Sequence, residues 1–494
     1  MKAVGFYGAV SLEAILKKLR EDKSTTDLVP LVDVQNHVFH ELSKETVLER
    51  YCLPKVSSLS EAKHKLIAKD DIDPHGAISL KELSRIRREP ALKLTNLVLD
   101  YDIEEADSEL REFVNNGGFV FCDTTPRGRG RDIHKLNQIA DELKKYITFV
   151  VGTGWCFEHS FDYKNPEINA EQFRRLFVGN VIDGFRIEGK VIGKAGIIGE
   201  IILSSRYVHC ESEKSLQCIN EANALTGAIQ AHAETDGCPV VIRLEPDSSL
   251  STEAHHKHTL ALLEKVVNTF TSIPGVQAKR VAISGALSNL PGHLSLEGAT
   301  AYALKLSTLL TRAPFKLIVT LSHIETDDYP EGGSIPTLAA ILNLLIEAGH
   351  KEQLLVGGSI SFKTQLMRCG GWGYGRLHNV LLRQLRSSSL DATSIRAIFV
   401  DNAIQFLSYY TPPAAPPPKP IKYWSCDFCG KEKPDTFDAF EKSGYKYCSM
   451  KCLKKHKQQL EEENGDKSDK DNNRGGKRKA NTGSTSWGIA VGSS

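Results

Sequence analysis

Short apolar runs alternate with longer amphipathic stretches along most of the chain. The runs are rich in valine, isoleucine and leucine, which is typical of strands buried on both faces of a parallel sheet. They predict strands at 31–34, 119–123, 148–152, 195–202, 239–244, 280–284, 316–321 and 353–356. The intervening stretches have helical periodicity, for example at 133–146, 215–235, 258–270, 299–310 and 335–348. Eight strands that alternate with helices predict an α/β fold, a (β/α)8 TIM barrel.

Shifts in composition divide the chain into segments. Residues 1–410 are predicted to form the barrel, with an irregular insertion at 40–95 after the first strand. Residues 411–420 contain a dense run of prolines, which disfavours helix and sheet and indicates an extended linker. A small cysteine-containing module follows at 421–460, and the polar segment 461–494 is predicted to be a disordered tail.

The overall composition is that of an ordinary globular protein, with 41% hydrophobic and 25% charged residues and a formal net charge of +1. A nucleic-acid partner would therefore need a local basic surface. No apolar run approaches the roughly 18 residues that a membrane-spanning helix needs, and the first residues lack the features of a secretory signal peptide. We therefore expect a nuclear or cytoplasmic protein that is not secreted and does not contact a membrane.

The cysteines indicate metal binding rather than a disulfide framework. The chain has 11 of them, and an odd number without a signal peptide argues against disulfides. Four lie close together with the spacing C-x2-C and C-x3-C, at Cys426, Cys429, Cys448 and Cys452. Four thiolates so spaced suit one tetrahedral Zn²⁺, and a module this short needs the metal in order to fold.

Several segments of the predicted barrel resemble the phosphotriesterase-related family of the amidohydrolase superfamily. They are GGFVFCDTTP at 117–126 with GRD at 130–132, VGTGW at 151–155, AGIIGEI at 195–201 and GGWGY at 370–374. The segments occur in the family's order and at sensible spacing, which makes the set more specific than any one of them. The resemblance implies an amidohydrolase-like TIM barrel.

The resemblance also implies a hydrolase with a two-metal centre at the C-terminal end of the barrel. The family places a His-x-His pair on strand 1, a bridging carboxylate on strand 4, single histidines on strands 5 and 6, and an aspartate on strand 8. Imidazole and carboxylate groups suit divalent cations, and two such cations activate a bridging water for attack on an ester or amide.

This chain carries only part of that ligand set. The matching positions are Gln35, His37, Glu200, Arg243, Gly285 and Ser359. His37 and Glu200 are the only strong ligands among them, and they are too few to hold two metals. We therefore expect the barrel metals to be absent. We also expect Arg243 to pair with Glu200 so that the guanidinium replaces metal charge; the alternative is that Arg243 points to solvent.

The residues around the clustered cysteines resemble the FCS-type zinc finger of Polycomb-group proteins. The matching elements are CDFCGK at 426–431 and YCSMKC at 447–452, where Tyr447 replaces the phenylalanine of the family name. The resemblance implies binding to RNA or DNA. A basic face with an aromatic stacking partner agrees with this, and its residues are Tyr445, Lys446, Lys451, Lys454 and Lys455. The alternative is that these lysines form an ordinary solvated helix face.

Three functions are consistent with these features. In the first, the barrel is a catalytically inactive scaffold or ligand-binding domain, and the finger contacts RNA, DNA or a protein partner. In the second, the chain is an active metal-dependent hydrolase of a small ester or amide with a remodelled centre. In the third, it is an adaptor for protein partners that does not bind nucleic acid.

Overall fold

The computed structural model describes most of the barrel and the cysteine module. The described residues are 30–41, 72–73, 75–88, 90–156, 168–209, 215–245, 252–287, 295–320, 335–388, 390–408, 423–434 and 439–468. The predicted linker at 411–420 and most of the predicted insertion at 40–95 lie outside these residues. The chain divides into two compact units, Met1–Pro412 and Pro413–Ser494.

Eight parallel strands form the centre of the first unit and follow one another around the sheet in sequence order. They are β1 (Leu31–Asn36), β2 (Gly118–Asp123), β3 (Thr148–Trp155), β4 (Ile197–Ser204), β5 (Val240–Glu245), β6 (Val281–Ser284), β7 (Lys316–Thr320) and β8 (Leu354–Gly357). Beyond the end of β8, the backbone N–H of Ser359 donates to the carbonyl oxygen of Gln35 on β1 at 3.0 Å. This contact brings the last strand beside the first, so the predicted (β/α)8 barrel is confirmed.

The strands are buried because their side chains pack both inside the barrel and against surrounding helices. Among the described residues, the longer helices between successive strands are α1 (Ile103–Asn115), α2 (Ile133–Leu143), α3 (Ala170–Ile182), α4 (Leu216–Glu234), α5 (Thr252–Thr271), α6 (Leu296–Arg312) and α7 (Ile335–Glu347). Several begin at a polar N-cap side chain. Asp102, Asp132 and Ser215, for example, each accept a backbone N–H from the first turn of the helix that follows.

Shorter elements complete the barrel. After β8 the chain is helical at Leu377–Leu382, α8 (Arg383–Arg386), α9 (Ala392–Arg396), Ala397–Asp401 and α10 (Asn402–Leu407). Two small antiparallel strand pairs join His40–Glu41 with Val98–Leu99 and Phe185–Ile187 with Lys190–Gly193. A short helix at Leu83–Arg88 lies within the predicted insertion. None of the described helices is long and apolar enough to cross a membrane.

In the second unit, the described residues form two small hairpins and a helix. β9 (Tyr423–Ser425) pairs with β10 (Glu432–Pro434), β11 (Phe440–Lys442) pairs with β12 (Tyr445–Tyr447), and α11 (Met450–Ser468) follows. The helix continues past Leu460 into the segment for which the sequence predicts disorder. That part of the prediction is therefore wrong as far as Ser468. The segment is rich in charged residues, a composition that is typical of disorder. Charged residues are also tolerated on an exposed helix, so the composition does not exclude one.

Candidate functional site

A cluster of polar side chains lies at the carboxyl ends of the barrel strands. Parallel strands bring their carboxyl ends to one face of a barrel, so residues far apart in sequence meet there. The cluster contains Gln35 and His37 at the end of β1, Glu200 in β4, Arg243 in β5, Ser284 in β6 and Ser359 after β8. Each of them is buried. Buried polar groups are costly unless they are hydrogen-bonded, so these contacts define the site.

Glu200 is the centre of the cluster. Its Oε2 accepts a hydrogen bond from Nε2 of Gln35 at 2.6 Å and lies 3.2 Å from Nε2 of His37. Its Oε1 lies 3.5 Å from Nη1 of Arg243. The expected pairing of Arg243 with Glu200 is thus confirmed. Both carboxylate oxygens of Glu200 are therefore in contact with neighbouring side chains.

These neighbours keep Glu200 ionised although it is fully buried. Burial opposes ionisation, but the positive charge of Arg243, the electrostatic effect of His37 and the hydrogen bonds from His37 and Gln35 outweigh it. Together they lower the pKa of Glu200 to about 2. The carboxylate is therefore charged at any physiological pH, and protein cations balance that charge.

Arg243 is held at three points. Its Nη1 donates to Oγ of Ser359 at 3.2 Å, in addition to the contact with Glu200. Its Nε lies 3.3 Å from Oε1 of Glu245, and that same carboxylate accepts from Nη2 of the buried Arg129 at 3.0 Å. Glu245 therefore bridges two guanidinium groups. The sequence reasoning missed Arg129 and Glu245, although Arg129 stands within the RGRGRD segment at 127–132 that follows β2.

The sixth strand contributes Ser284, one residue before the position expected from the family alignment. Oγ of Ser284 accepts a hydrogen bond from Nε2 of Gln35 at 2.9 Å. Gly285 follows the strand with φ +91°, and a Cβ on it would lie 2.2 Å from the carbonyl oxygen of Leu244. A side chain at 285 would clash with this backbone. Ser284, one residue before Gly285, therefore supplies the side chain of the sixth strand to the described cluster.

A second set of buried contacts fixes the end of β1 against β8. Asp33 accepts hydrogen bonds from Nδ2 of Asn36 at 2.7 Å and from the backbone N–H of Gly358 at 3.1 Å. A Cβ on Gly358 would lie 2.2 Å from Nδ2 of Asn36, so the glycine permits this close approach. Burial raises the pKa of Asp33 to about 7, although its hydrogen bonds oppose the increase. This set supports the loop that carries Ser359.

The barrel cluster has few of the donors that a two-metal centre requires. Imidazole and carboxylate are represented by His37 and Glu200, while a guanidinium and two serine hydroxyls occupy the other strand ends. In the described part of the chain, the only group of three or more His, Cys, Asp or Glu side chains arranged to hold a metal ion is the four-cysteine group. The described cluster therefore contains only His37 and Glu200 of the donor types that such a centre uses.

The four cysteines of the second unit converge at one point. Cys426 and Cys429 lie in the turn between β9 and β10, and Cys448 and Cys452 lie at the start of α11. Their Sγ atoms are within 4.8 Å of one another. Two of the pairs are separated by 3.5 and 3.6 Å. Tetrahedral Zn²⁺ with bonds of about 2.3 Å places its sulfur ligands about 3.8 Å apart. The four thiolates fit one zinc ion.

His456 on α11 packs the helix against the second hairpin of the finger. Its Nδ1 lies 2.9 Å from the hydroxyl of Tyr447, and its ring meets the ring of Tyr445 edge-on at 5.1 Å. Tyr447 is buried. Because this small core contains so few side chains, the fold of the finger depends on the metal as well as on packing.

The basic face expected on the finger is not continuous. Cross-strand pairing places Tyr445 opposite Lys442 and Lys446 opposite Glu441, so Tyr445 and Lys446 project from opposite faces of the hairpin. Nζ of Lys446 forms an ion pair with Glu441 at 3.2 Å. By contrast, Lys451, Lys454 and Lys455 are exposed on α11. Tyr445 contacts the helix that carries these lysines through His456, whereas Lys446 lies on the other face of the hairpin.

Two family models match the chain. Residues 63–245 and 320–407, which are more than half of the chain, match the phosphotriesterase family. Residues 421–464 match the Vms1-associating treble clef domain. A treble clef combines a metal-binding turn, a hairpin and a helix, as in the second unit. The barrel and the C-terminal cysteine finger predicted from the sequence are both confirmed.

Curated relatives align with much of the chain. N-acetyltaurine hydrolase of Salmo salar is 23% identical over 344 residues, which are 69% of this chain and 87% of that protein. The Homo sapiens protein of the same name is 24% identical over 337 residues, or 67% of this chain and 85% of that protein. A phosphotriesterase-related protein of Drosophila persimilis is 25% identical over 340 residues, which are 67% of this chain and 86% of that protein.

Solved structures show the same fold. A resiniferatoxin-binding protein from Rhodobacter sphaeroides has a TM-score of 0.57 at 20% identity. The superposition covers 78% of this chain and 93% of that protein's chain. An amidohydrolase from Mycoplasma synoviae has a TM-score of 0.52 at 13% identity, with coverage of 83% and 93%. At these identities the likeness extends to the fold alone.

Proposed function

Because the chain belongs to the phosphotriesterase family, we propose that it is a catalytically inactive member whose barrel binds a ligand or acts as a scaffold and whose finger recruits a protein partner. The observation that carries the proposal is the ion pair between Arg243 and Glu200. A permanent guanidinium charge lies beside the carboxylate that would bridge two metals in the family. Metal binding at Glu200 would require this guanidinium to move away from a buried carboxylate.

The remaining donors support the same proposal. Family hydrolysis needs a water made acidic by two cations, and here the strand ends offer hydroxyl and guanidinium groups where histidines and an aspartate are expected. Gln35 directs its amide N–H groups at Glu200 and Ser284, so this side chain acts as a donor toward them. The cluster is arranged to satisfy a buried carboxylate without metal.

The finger supports the recruitment of a partner. Its family model is named for association with Vms1, which favours protein interaction for this unit. Apolar side chains are exposed on it, and Tyr423 is 62% and Met450 is 47% exposed. Exposed aromatic and methionine side chains are enriched in protein interfaces. RNA or DNA is the alternative partner, favoured by the exposed Lys451, Lys454 and Lys455.

Metal stoichiometry of the full-length protein tests the barrel. We expect one zinc per wild-type chain and none in a Cys429→Ser/Cys452→Ser double variant, since the finger would be the sole zinc site. A Cys218→Ser/Cys238→Ser variant, which changes two buried cysteines of the barrel, is the matched control and should retain one zinc. Metal that stays bound to the double finger variant would contradict the proposal.

An active hydrolase is the second candidate, favoured by the relatives named as N-acetyltaurine hydrolases. Under this hypothesis, His37 and Glu200 would ligate metal after Arg243 moves away. Hydrolysis of N-acetyltaurine by the zinc-loaded protein, lost in a Glu200→Gln variant, would support it. Absence of turnover with added divalent metals, in protein that is folded, would support the inactive barrel.

Binding assays on the finger distinguish its partners. Retention on immobilised RNA that weakens steeply with salt and is lost in a Lys451→Gln/Lys454→Gln/Lys455→Gln variant would indicate nucleic-acid binding. Protein association that survives this variant but is lost on Met450→Ser would indicate the apolar surface instead. The second outcome is the one we expect.

A further inference from the structure

Within the described residues, one nitrogen of Arg243 has no hydrogen-bond partner. Nη1 and Nε contact Glu200, Ser359 and Glu245, but Nη2 has no hydrogen-bond partner among the described residues. The side chain remains 8% exposed. A guanidinium presents five N–H donors in a fixed plane, so fixing the other two nitrogens also fixes the direction of Nη2. The barrel thus presents an oriented pair of N–H donors.

The surroundings of this donor are rich in arginine. The loop after β2 carries Arg127, Arg129 and Arg131, and Glu245 joins Arg129 to Arg243. Arg127 and Arg131 form no ion pair within the described part of the chain, although Asp123 acts on Arg131 at longer range. Burial lowers the pKa of Arg131 to about 10, with Asp123 opposing the decrease and Arg127 adding to it. Among the described residues, Arg243 is thus linked through Glu245 to a loop that carries further guanidinium groups.

We propose that the C-terminal face of the barrel binds a small organic carboxylate, with one carboxylate oxygen accepting from Nη2 of Arg243. This inference names a ligand class for the proposed inactive barrel and rests on that function. The charge of the ligand follows from the neighbours. The guanidinium of Arg243 favours an anion, whereas Glu200 and Glu245 disfavour a second negative charge, so a monoanion fits better than a phosphate dianion.

The mode of contact also follows from the geometry. Because Nη1 and Nε are already engaged, the ligand meets a single terminal nitrogen rather than both arms of the guanidinium. Affinity for a minimal carboxylate should therefore be modest, and the rest of the ligand must supply additional contacts. Ser359 and Glu245 are positioning residues, because they fix the guanidinium without contacting the ligand themselves.

Isothermal titration of the full-length protein with acetate and with acetamide tests the charge requirement. The two probes have nearly the same shape, and both titrations are made at one ionic strength. We expect acetate to bind about tenfold or more tightly than acetamide, since hydrogen bonds to charged groups are stronger than neutral ones. Equal affinities, or no heat from either probe, would overturn the proposal. Inorganic phosphate that binds more tightly than acetate would overturn the monoanion assignment.

Two variants locate the site. Arg243→Gln should weaken acetate binding about tenfold or more, while Arg127→Gln, which removes a nearby charge without touching Arg243, should weaken it about threefold or less. Equal losses of affinity in the two variants would show that the overall electrostatic potential at the barrel face, and not a contact with Nη2, binds the anion. If Arg243→Gln does not fold, Ser359→Ala replaces it and should weaken acetate while leaving acetamide unchanged.

Failure of this inference can be told apart from failure of the proposed function. Metal analysis of the same samples and a titration repeated after treatment with a chelator separate the two. Acetate binding that persists in metal-free barrel supports both. If the barrel contains a metal and acetate binding is lost when the chelator removes that metal, the proposed function and this inference are both overturned. A barrel without metal and without acetate binding overturns only the carboxylate site.

Discussion

At the scale of single residues, the candidate site has the guanidinium cation of Arg243 beside Glu200, where the family has metal cations. Glu200 is fully buried, yet Arg243, His37 and Gln35 satisfy its charge and both of its oxygens. Arg243 is in turn oriented by Glu245 and Ser359. A buried carboxylate with these partners stabilises the fold only while all of them are present.

Glu200→Gln tests this dependence through pH. The pKa of Glu200 is lowered from 4.5 to about 2 in the folded protein, so its stabilising contribution is present above pH 4.5 and is lost as pH falls towards 2. This corresponds to about 3 kcal/mol of unfolding free energy at neutral pH. We expect Glu200→Gln to lose roughly that amount in denaturant titrations at pH 7 and to flatten the acid limb.

Glu171→Gln is the matched control. The pKa of Glu171 is also lowered to about 2 by Arg174 and Arg175, but its carboxylate is on the surface. Water and salt screen such a pair, so the substitution should have a much smaller effect that vanishes at high salt. Equal effects of the two substitutions would contradict the view that Glu200 anchors a buried network.

At the scale of elements, a second buried carboxylate joins a helix to a strand. Glu221 on α4 accepts from the backbone N–H of Ser204 at the end of β4 at 3.1 Å and from Nε2 of Gln217 at 2.9 Å. Burial raises its pKa to about 7, and its hydrogen bonds only partly oppose this. The helix is therefore held against the barrel by a group that is partly protonated near neutrality.

Glu221→Gln should remove a pH dependence of stability. Between its ordinary pKa of 4.5 and about 7, the folded chain retains a proton that the unfolded chain has lost. Stability therefore falls by about 3 kcal/mol as pH rises through this window. Urea denaturation at about pH 5 and about pH 8 should show a larger fall in the wild type and in the exposed Glu142→Gln control than in Glu221→Gln, where only buried groups such as Asp33 still contribute. An unchanged fall in Glu221→Gln would contradict the assignment.

At the scale of the whole molecule, two compact units differ in what stabilises them. The barrel buries an extensive apolar core, whereas the finger has a few packed side chains and four cysteines. A unit with so little core folds only with its metal. Stability of the chain is therefore expected to be metal-dependent in one unit and metal-independent in the other.

Removal of zinc should unfold the finger alone. We expect a strong chelator to abolish amide-hydrogen protection in α11 and β12 while the barrel strands stay protected and its thermal transition is unchanged. Addition of zinc should restore the finger. A chelator-induced fall in the thermal transition of the barrel would contradict this expectation and would indicate a metal within the barrel.

Much of the architecture followed from the sequence because it depends on local pattern. Buried strands of a parallel barrel read as continuous apolar runs, and the runs near Phe121, Val151 and Val241 lie within β2, β3 and β5. The spacing of the cysteines likewise indicated the finger, since the two pairs of ligands are each local in sequence.

The tertiary structure alone decided which side chains share the site. Ser284 rather than Gly285 faces Gln35, because the backbone of Leu244 leaves no room beside residue 285. Arg129 reaches Glu245 only because a loop and a strand distant in sequence meet at the end of the barrel. The sequence shows which side chains carry a charge or a hydroxyl group. Whether two such groups lie within hydrogen-bond distance depends on folding, because folding brings the ends of distant strands together.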